Sequence, residues 1–220
     1  MNYLLICLIS YLLGSFPTAL ILVKIVTKKD VRSSESGNMG AMNTLRIVKK
    51  EKGLKIAIFS FLFVWLFDCF KAIIATYLSQ KFNLNFIAAT TLATFFVILG
   101  HNYPIWLKGK GGRGAACFMG ILMYFRFSIF LYWLLIIFLS SLITEVIFRI
   151  FNHQKINSKI IFQSISDQII GRLIGELIAI PIISLIEPKL FWPVLFGSIL
   201  IILRHQTRLL KQISSLKNKM

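Results

Sequence analysis

The sequence predicts an all-α membrane protein, a polytopic bundle of about seven transmembrane helices. Of its 220 residues, 57% are apolar and 15% are charged, 20 are Phe, and the mean hydropathy is +0.78. Soluble domains carry more charge, and so much apolar surface excludes a disordered chain. The net charge of +17 would suit a nucleic-acid-binding protein, but the apolar runs leave no room for a solvated domain to carry it.

Long apolar runs define the seven helices, since about 20 residues of α-helix cross the hydrocarbon core of a bilayer. The first run, residues 2–26, is interrupted only by Gly14-Ser15-Phe16-Pro17. The run 115–148 is too long for one helix and contains Arg126, so we divide it there. The predicted spans are 2–26, 54–79, 84–100, 115–125, 127–148, 169–186 and 190–203.

The basic residues predict the orientation, because cytoplasmic loops of membrane proteins are enriched in Lys and Arg. With the N-terminus outside, four segments face the cytoplasm, and they hold 8, 3, 3 and 5 basic residues, or 19 of the 25. Those segments are 27–53 with the flanking Lys55, 101–114, 149–168 and 204–220. A re-entrant helix at 115–125 would instead export the basic tail. We therefore expect the N-terminus outside and the C-terminus in the cytoplasm. The first span lacks a basic n-region, so we do not expect a cleavable signal peptide.

The first of three polar segments on the predicted cytoplasmic side is Ser36-Gly37-Asn38-Met39-Gly40-Ala41-Met42-Asn43-Thr44-Leu45-Arg46. Glycine allows several backbone N–H groups to point at one anion, and asparagine adds side-chain donors. Arg46 can bind a phosphate through two parallel hydrogen bonds. The alternative interpretation is a turn followed by a helix cap.

The second segment runs from Gly100-His101-Asn102-Tyr103-Pro104 to Lys108-Gly109-Lys110-Gly111-Gly112-Arg113-Gly114-Ala115-Ala116. Four glycines and three cations lead directly into the N-terminus of a predicted helix, a composition typical of phosphate-binding sites. The Walker A pattern GxxxxGK[ST] is absent, so nucleotide hydrolysis is not predicted. The alternative is a flexible basic loop.

Two further features, the third polar segment and a pair of charges within a span, complete the set. Arg204-His205-Gln206-Thr207-Arg208 follows the last span, where orientation alone would also place basic residues. In the second span, Asp68 and Lys71 lie three residues apart on one helix face. Because unpaired charges inside lipid are costly, we expect these two side chains to pair and to face the bundle, either as a structural pair or as part of the site.

The motifs of hydrolases and metal enzymes are absent. The sequence has no GxSxG, no HExxH, no CxxC, and no His with Asp five residues later. Cys7, Cys69 and Cys117 are scattered singly, without the spacing of metal ligands. We expect neither a metal nor another cofactor. An anion site without an evident nucleophile suits a substrate that brings its own activated group.

In their order along the chain, these segments resemble the bacterial acyl-phosphate:glycerol-3-phosphate acyltransferase family of the PlsY type. The resemblance covers Gly14-Ser15-Phe16-Pro17, the segment 36–46 as the family's first motif, and Asp68-x-x-Lys71. Gly100-His101-x-x-Pro104 with Lys110-Gly111-Gly112-Arg113-Gly114 resembles the second motif.

The C-terminal half is less similar to the family. His205 of the third motif is present, but Arg208 stands where the family has Asn. The family's Arg-Tyr segment with two serines has no clear counterpart here. Residues 149–168 look like an insertion in a single integral-membrane domain that covers 1–220.

The resemblance implies that the chain transfers a fatty acyl group from acyl phosphate to the sn-1 hydroxyl of glycerol-3-phosphate. The products would be lysophosphatidic acid and phosphate, and the reaction would serve phospholipid synthesis. The expected partners are the two substrates and membrane lipid, and not nucleic acid. The implied catalytic residues are Ser36, Arg46, Lys110 and His205. The implied substrate-binding residues are Asn38, Gly40, Asn43, His101, Gly111, Gly112, Arg113 and Gly114.

Two other functions stay open at this level. The altered third motif is compatible with a catalytically impaired homologue that binds lipid or an anion. A small transporter of organic phosphates could use the same cations, but we would expect repeated halves and more polar residues within its spans.

Overall fold

The structure is a computed structural model, which describes residues 2–33, 37–153 and 168–217. Within these ranges the regular secondary structure is entirely helical. The α-helices are α1 (Asn2–Gly14), α2 (Thr18–Thr27), α3 (Ala41–Lys52), α4 (Leu54–Ser79), α5 (Phe86–Asn102), α6 (Ala115–Phe125), α7 (Phe127–Phe151), α8 (Ile169–Ile186) and α9 (Phe191–Lys217). Short 3-10 helices occupy Val31–Ser33, Gln80–Phe82, Ile105–Leu107 and Pro188–Leu190.

Six helical stretches in the described part of the chain are long and apolar enough to cross a membrane, and each coincides with a predicted span. They are Asn2–Thr27, Leu54–Phe82, Phe86–Leu107, Phe127–Phe151, Ile169–Ile186 and Pro188–Ser214. The prediction of an all-helical, multi-pass membrane protein is therefore confirmed. The orientation of the termini stays a prediction.

The predicted fourth span is the exception. It corresponds to α6, whose 11 residues extend about 17 Å at 1.5 Å per residue, well short of the ~30 Å hydrocarbon core. The helix ends at Phe125 because Arg126 adopts an extended backbone conformation. This segment is a short apolar helix, so the described residues hold six helices long enough to cross a membrane and α6 as a seventh, shorter one.

The chain forms two compact units, residues 1–126 and residues 127–220. In the first unit, α4 packs against α1, α2, α3, α5 and α6, and α1 packs along α5. In the second unit, α8 packs against both α7 and α9. The two phosphate-binding segments predicted above both belong to the first unit.

Glycines bring the helices of the first unit into backbone contact. A Cβ on Gly14 in α1 would lie 2.8 Å from the carbonyl carbon of Val97 in α5. A Cβ on Gly100 in α5 would lie 3.0 Å from the backbone nitrogen of Ser15. A Cβ on Gly120 in α6 would lie 2.8 Å from the carbonyl carbon of Cys69 in α4. Small residues at such positions allow membrane helices to approach closely, so α1 with α5, and α4 with α6, form tight pairs.

Buried polar contacts join the helices of the second unit. Glu176 in α8 is 3% exposed, and its Oε2 accepts hydrogen bonds from Trp133 Nε1 in α7 (3.3 Å) and Ser198 Oγ in α9 (3.0 Å). Gln212 in α9 accepts hydrogen bonds at Oε1 from the first two backbone N–H groups of α8, at 2.8 and 3.2 Å. The start of α8, which has no intrahelical acceptors for these groups, is thus satisfied from α9.

Candidate active site

The predicted ion pair in the second span is present. Lys71 Nζ lies 2.9 Å from Asp68 Oδ1, and both side chains are 3% exposed. Thr18 Oγ1 in α2 donates a hydrogen bond to the same carboxylate oxygen at 3.3 Å. The spacing of three places both charges on one face of α4, and that face points into the first unit. A buried pair of this kind is stable only when further hydrogen bonds satisfy it.

Lys71 supplies those further contacts at the break between α1 and α2. Its Nζ lies 3.0 Å from Gly14 O and 3.3 Å from Phe16 O. The last carbonyls of a helix have no intrahelical donors and carry the negative end of the helix dipole, so a buried ammonium there is favourable. Lys71 Nζ also lies 3.0 Å from His101 Nδ1 in α5. One side chain therefore connects α4, the α1–α2 break and the end of α5.

His101 connects this buried pair to the glycine-rich loop 109–114. Its backbone carbonyl accepts a hydrogen bond from Gly112 N at 2.9 Å, and Asn102 O accepts one from Gly111 N at 3.2 Å. A Cβ on Gly112 would lie 2.7 Å from both Cδ2 and Cε1 of the His101 ring and closer still to Nε2. Only glycine fits at position 112, because the buried imidazole lies directly against the backbone there.

The far end of the loop begins α6. Gly114 has a φ of +84°, a left-handed conformation that favours glycine, and it occupies the N-cap position without a side-chain cap. Lys110 is exposed and Arg113 is half-buried on the same loop. The loop thus places two cations beside the positive end of a helix, which is the arrangement that attracts phosphate.

Two hydrogen bonds attach the segment before the loop to α1 and its break. Trp106 Nε1 donates to Ser15 O at 2.7 Å, and Tyr11 donates through its hydroxyl to Tyr103 O at 2.8 Å. Sequence reasoning missed both. The available signal was the Gly-Ser-Phe-Pro break, because an interrupted helix inside an apolar run exposes carbonyl groups that need donors.

The first polar segment forms the start of α3. Gly40 is its N-cap, and Gly40 O accepts hydrogen bonds from Asn43 N and Thr44 N, both at 3.1 Å. Asn43 is 2% exposed, and its Nδ2 donates to Val31 O at 3.2 Å, so this amide holds the preceding turn. Asn38 is half-buried, and a Cβ on Gly40 would lie 2.8 Å from its Nδ2.

Arg46 lies one turn further along α3 and is half-buried. The next two residues of α3, Ile47 and Val48, belong to a buried hydrophobic cluster that also contains Val31 and Leu107. Because Leu107 lies two residues before the glycine-rich loop, this cluster joins the two predicted phosphate-binding segments. Ser36 falls outside the described residues.

His205 belongs to the second unit. It is 7% exposed, and its Nδ1 lies 2.8 Å from Ile201 O, one turn earlier in α9. In the first unit, the structure brings together His101, the loop 109–114 and the start of α3. His205 is a residue of the second unit. Among the described residues, no group of His, Cys, Asp and Glu is arranged to hold a metal ion.

Comparison with known proteins agrees with the motifs. The family model described as "Glycerol-3-phosphate acyltransferase" matches residues 4–215. A protein of that name from Anaplasma marginale (strain Florida) is 30% identical over 211 residues, 96% of this chain and 91% of the relative. Another, from Pelagibacter ubique (strain HTCC1062), is 46% identical over 132 residues, 60% of this chain and 62% of the relative, so that match spans less than two thirds of its length.

Two solved structures share the fold. The crystal structure of PlsY (YgiH), an integral membrane glycerol 3-phosphate acyltransferase, in its glycerol 3-phosphate form has a TM-score of 0.68 at 20% identity, covering 98% of this chain and 94% of that chain. The lysophosphatidic acid form of the same protein has a TM-score of 0.67 at 21% identity. With the family model and the full-length Anaplasma relative, the family predicted from the motifs is confirmed: this chain belongs to the glycerol-3-phosphate acyltransferase family.

Proposed function

We propose that this chain transfers a fatty acyl group from acyl phosphate to the sn-1 hydroxyl of glycerol-3-phosphate, producing lysophosphatidic acid and inorganic phosphate. The observation that carries the proposal is the glycine-rich loop 109–114, which rests on the buried His101 and opens onto the N-terminus of α6. The names of the relatives support the acceptor, and the two forms of the PlsY structure support the acceptor and the product.

The chemistry needs no nucleophile from the protein, because acyl phosphate is an activated mixed anhydride. The acceptor hydroxyl attacks the acyl carbonyl, the bond from the carbonyl carbon to the phosphate oxygen breaks, and the phosphate group takes the hydroxyl proton as it leaves. The protein has to hold two anions in line and to stabilise the charge that develops on the carbonyl oxygen and on the leaving phosphate. Backbone N–H groups, amides and fixed cations do both.

The residue roles follow the motif positions. Arg46 is assigned to the phosphate of glycerol-3-phosphate, with Ser36 and Asn38 positioning the acceptor. Lys110 is assigned to the acyl phosphate, and its exposure gives it access to an anion arriving from water. Gly111, Gly112, Arg113 and Gly114 complete the donor site, Gly40 and Asn43 shape the start of α3, and His205 is assigned to the reaction by its motif position alone.

The cytoplasmic face of the bacterial inner membrane is the proposed location. A charged, water-soluble acceptor has to reach the site from an aqueous compartment, whereas the acyl chain comes from lipid. Both phosphate-binding segments are basic and lie between membrane-spanning helices. The excess of Lys and Arg on the same side supports this orientation.

The test is product formation by purified protein supplied with palmitoyl phosphate and labelled glycerol-3-phosphate. We expect Arg46→Ala and Lys110→Ala to abolish transfer while leaving membrane insertion intact. Lys55→Ala is the matched control, since it removes an exposed cation from outside the site and should leave activity near wild type. Near wild-type activity in either site variant would overturn the assignment.

The same preparation distinguishes the other functions. Binding of glycerol-3-phosphate without product would indicate the impaired homologue. Uptake of glycerol-3-phosphate into liposomes without acylation would indicate a transporter. Equal or faster product formation from palmitoyl coenzyme A would contradict acyl phosphate as the donor.

A further inference from the structure

We propose that Lys71 and Asp68 are positioning residues of the transfer site, which act through His101 to hold the loop 109–114 where it meets phosphate. The inference rests on the proposed function, because it names residues that support the same site. Both side chains are 3% exposed, so neither is placed to contact a substrate directly. Their influence on transfer has to pass through a neighbour.

The first step is that Lys71 can only donate toward His101. An ammonium group has three N–H donors and no acceptor. Around Nζ lie the Asp68 carboxylate at 2.9 Å and two carbonyl oxygens at 3.0 and 3.3 Å, all of which accept and share the three N–H groups with His101. His101 Nδ1, 3.0 Å from Nζ, therefore accepts.

The second step concerns the proton of the imidazole. When Nδ1 accepts, a neutral ring carries its proton on Nε2. A doubly protonated ring would place an N–H donor 3.0 Å from the ammonium of Lys71, whereas the carboxylate oxygen that faces the same nitrogen, Asp68 Oδ1, is farther away at 3.8 Å. The ion pair in α4 thus selects one tautomer of His101, and the proton lies on the ring edge that faces Gly112.

The third step is mechanical. The loop touches His101 twice, through the hydrogen bond from Gly112 N to the His101 carbonyl and through the ring that lies against Gly112. The ring is held on its opposite edge by Lys71. Catalysis depends on reacting groups that are held in position to within about 1 Å. If the ring loses the support of Lys71, the loop can move away from its catalytic position.

The principal test is a double-mutant cycle. Lys71→Met removes the donor but leaves the Asp68 carboxylate buried without its cation, which is strongly destabilising. The working variant is therefore Asp68→Asn/Lys71→Met, which removes both charges. We expect it to fold, as measured by thermal unfolding, and to lower kcat by about 10- to 100-fold with palmitoyl phosphate and glycerol-3-phosphate.

The decisive comparison is made in the His101→Ala background. If the ion pair acts through the imidazole, the Asp68→Asn/Lys71→Met change adds no further loss once His101 is alanine. Two fully multiplicative penalties would overturn the inference, since they are the signature of a separate structural role. Wild-type kcat and KM in the folded Asp68→Asn/Lys71→Met variant would overturn it as well.

A control addresses the second attachment of the same segment. Tyr11→Phe removes the hydrogen bond to Tyr103 O without touching His101 or the two carbonyl groups that Lys71 contacts. Its effect should multiply with that of Asp68→Asn/Lys71→Met, because the two attachments reach the segment independently. Loss of the Asp68→Asn/Lys71→Met effect in the Tyr11→Phe background would overturn the route through the imidazole.

Failure of the proposed function gives a different pattern. If wild-type protein makes no lysophosphatidic acid, the reaction is wrong. The inference is then still tested by calorimetric titration with inorganic phosphate. The Asp68→Asn/Lys71→Met change should weaken phosphate binding in the wild-type background and have no further effect in the His101→Ala background. Unchanged phosphate affinity would overturn it.

Discussion

Replacement of Gly112 by alanine tests the contact between the glycine-rich loop and the buried histidine. An added Cβ would lie 2.7 Å from Cδ2 and Cε1 of His101 and nearer to Nε2, whereas ordinary van der Waals contact begins at 3.4 Å. The ring cannot move away freely, because Lys71 holds its opposite edge. The loop therefore has to move away from the end of α5 by about 1 Å.

The size of the expected effect follows from that displacement. A misplacement of about 1 Å in a positioning group can reduce the rate by about 100-fold, which corresponds to about 2.7 kcal/mol of transition-state stabilisation. We therefore expect Gly112→Ala to lower kcat/KM by about two orders of magnitude. Because the loop lies at the end of α5 and not within a span, membrane insertion should be normal.

The assay is the initial rate of lysophosphatidic acid formation by purified variants in detergent or liposomes. Gly109→Ala is the matched control in the same loop. Its φ of +73° makes alanine strained there, but the nearest atom to the added Cβ is 3.8 Å away. We expect a smaller loss from Gly109→Ala, caused by backbone strain of about 1–2 kcal/mol alone.

Two results would refute this reasoning. Equal rates for Gly112→Ala and Gly109→Ala would mean that the overlap with the imidazole is relieved elsewhere. A Gly112→Ala/His101→Ala double variant that is clearly slower than His101→Ala alone would mean that the added methyl group acts independently of the ring.

Two further predictions concern stability. Glu176→Leu should lower the free energy of unfolding by about 1–3 kcal/mol, because the buried Trp133 and Ser198 donors lose their acceptor. Glu176→Gln keeps an acceptor oxygen, so its free energy of unfolding should stay closer to that of wild type. Tryptophan fluorescence during heating measures both variants, and equal unfolding temperatures would contradict the role of Glu176. The side chain of Arg32, hydrogen-bonded to Asp30, holds the pKa of that carboxyl below its usual value, so the stabilisation from Asp30 is present at neutral pH and is lost as the pH falls through the folded pKa. Wild type and Asp30→Asn should differ slightly in unfolding temperature at pH 7 and converge at about pH 3, and a gap that widens in acid would show the sign to be wrong.

Most of the helices are predictable because an apolar run of sufficient length has few alternatives in a membrane. The predicted limits 54–79 and 169–186 are those of α4 and α8. The last predicted span stops at Leu203, yet α9 continues to Lys217. Hydropathy detects where lipid ends, whereas a helix can continue into water when its residues favour it, as Arg, Gln, Leu and Lys do here.

The candidate site is predictable only in part. Asp68 and Lys71 could be paired from their spacing, because neighbours three apart on a helix share a face. Their link to His101, 30 residues away, depends on how α4 and α5 pack, which the spacing of residues within one helix does not encode. Asn43 was predicted as a substrate ligand, and its Nδ2 contacts Val31 O instead of lying open, since the turn before α3 needs that donor. Its role toward the substrate stays a proposal.

The close glycine contacts also bear on how a fatty acyl chain reaches the loop. Backbone touches backbone at Gly14 and Gly100 between α1 and α5, and at Gly120 between α6 and α4. A hydrocarbon tail cannot slide between surfaces that leave no room for a single methyl group. These two helix–helix interfaces are therefore closed to lipid at the three glycines, and under the proposed function the acyl chain of the donor has to reach the loop by another route.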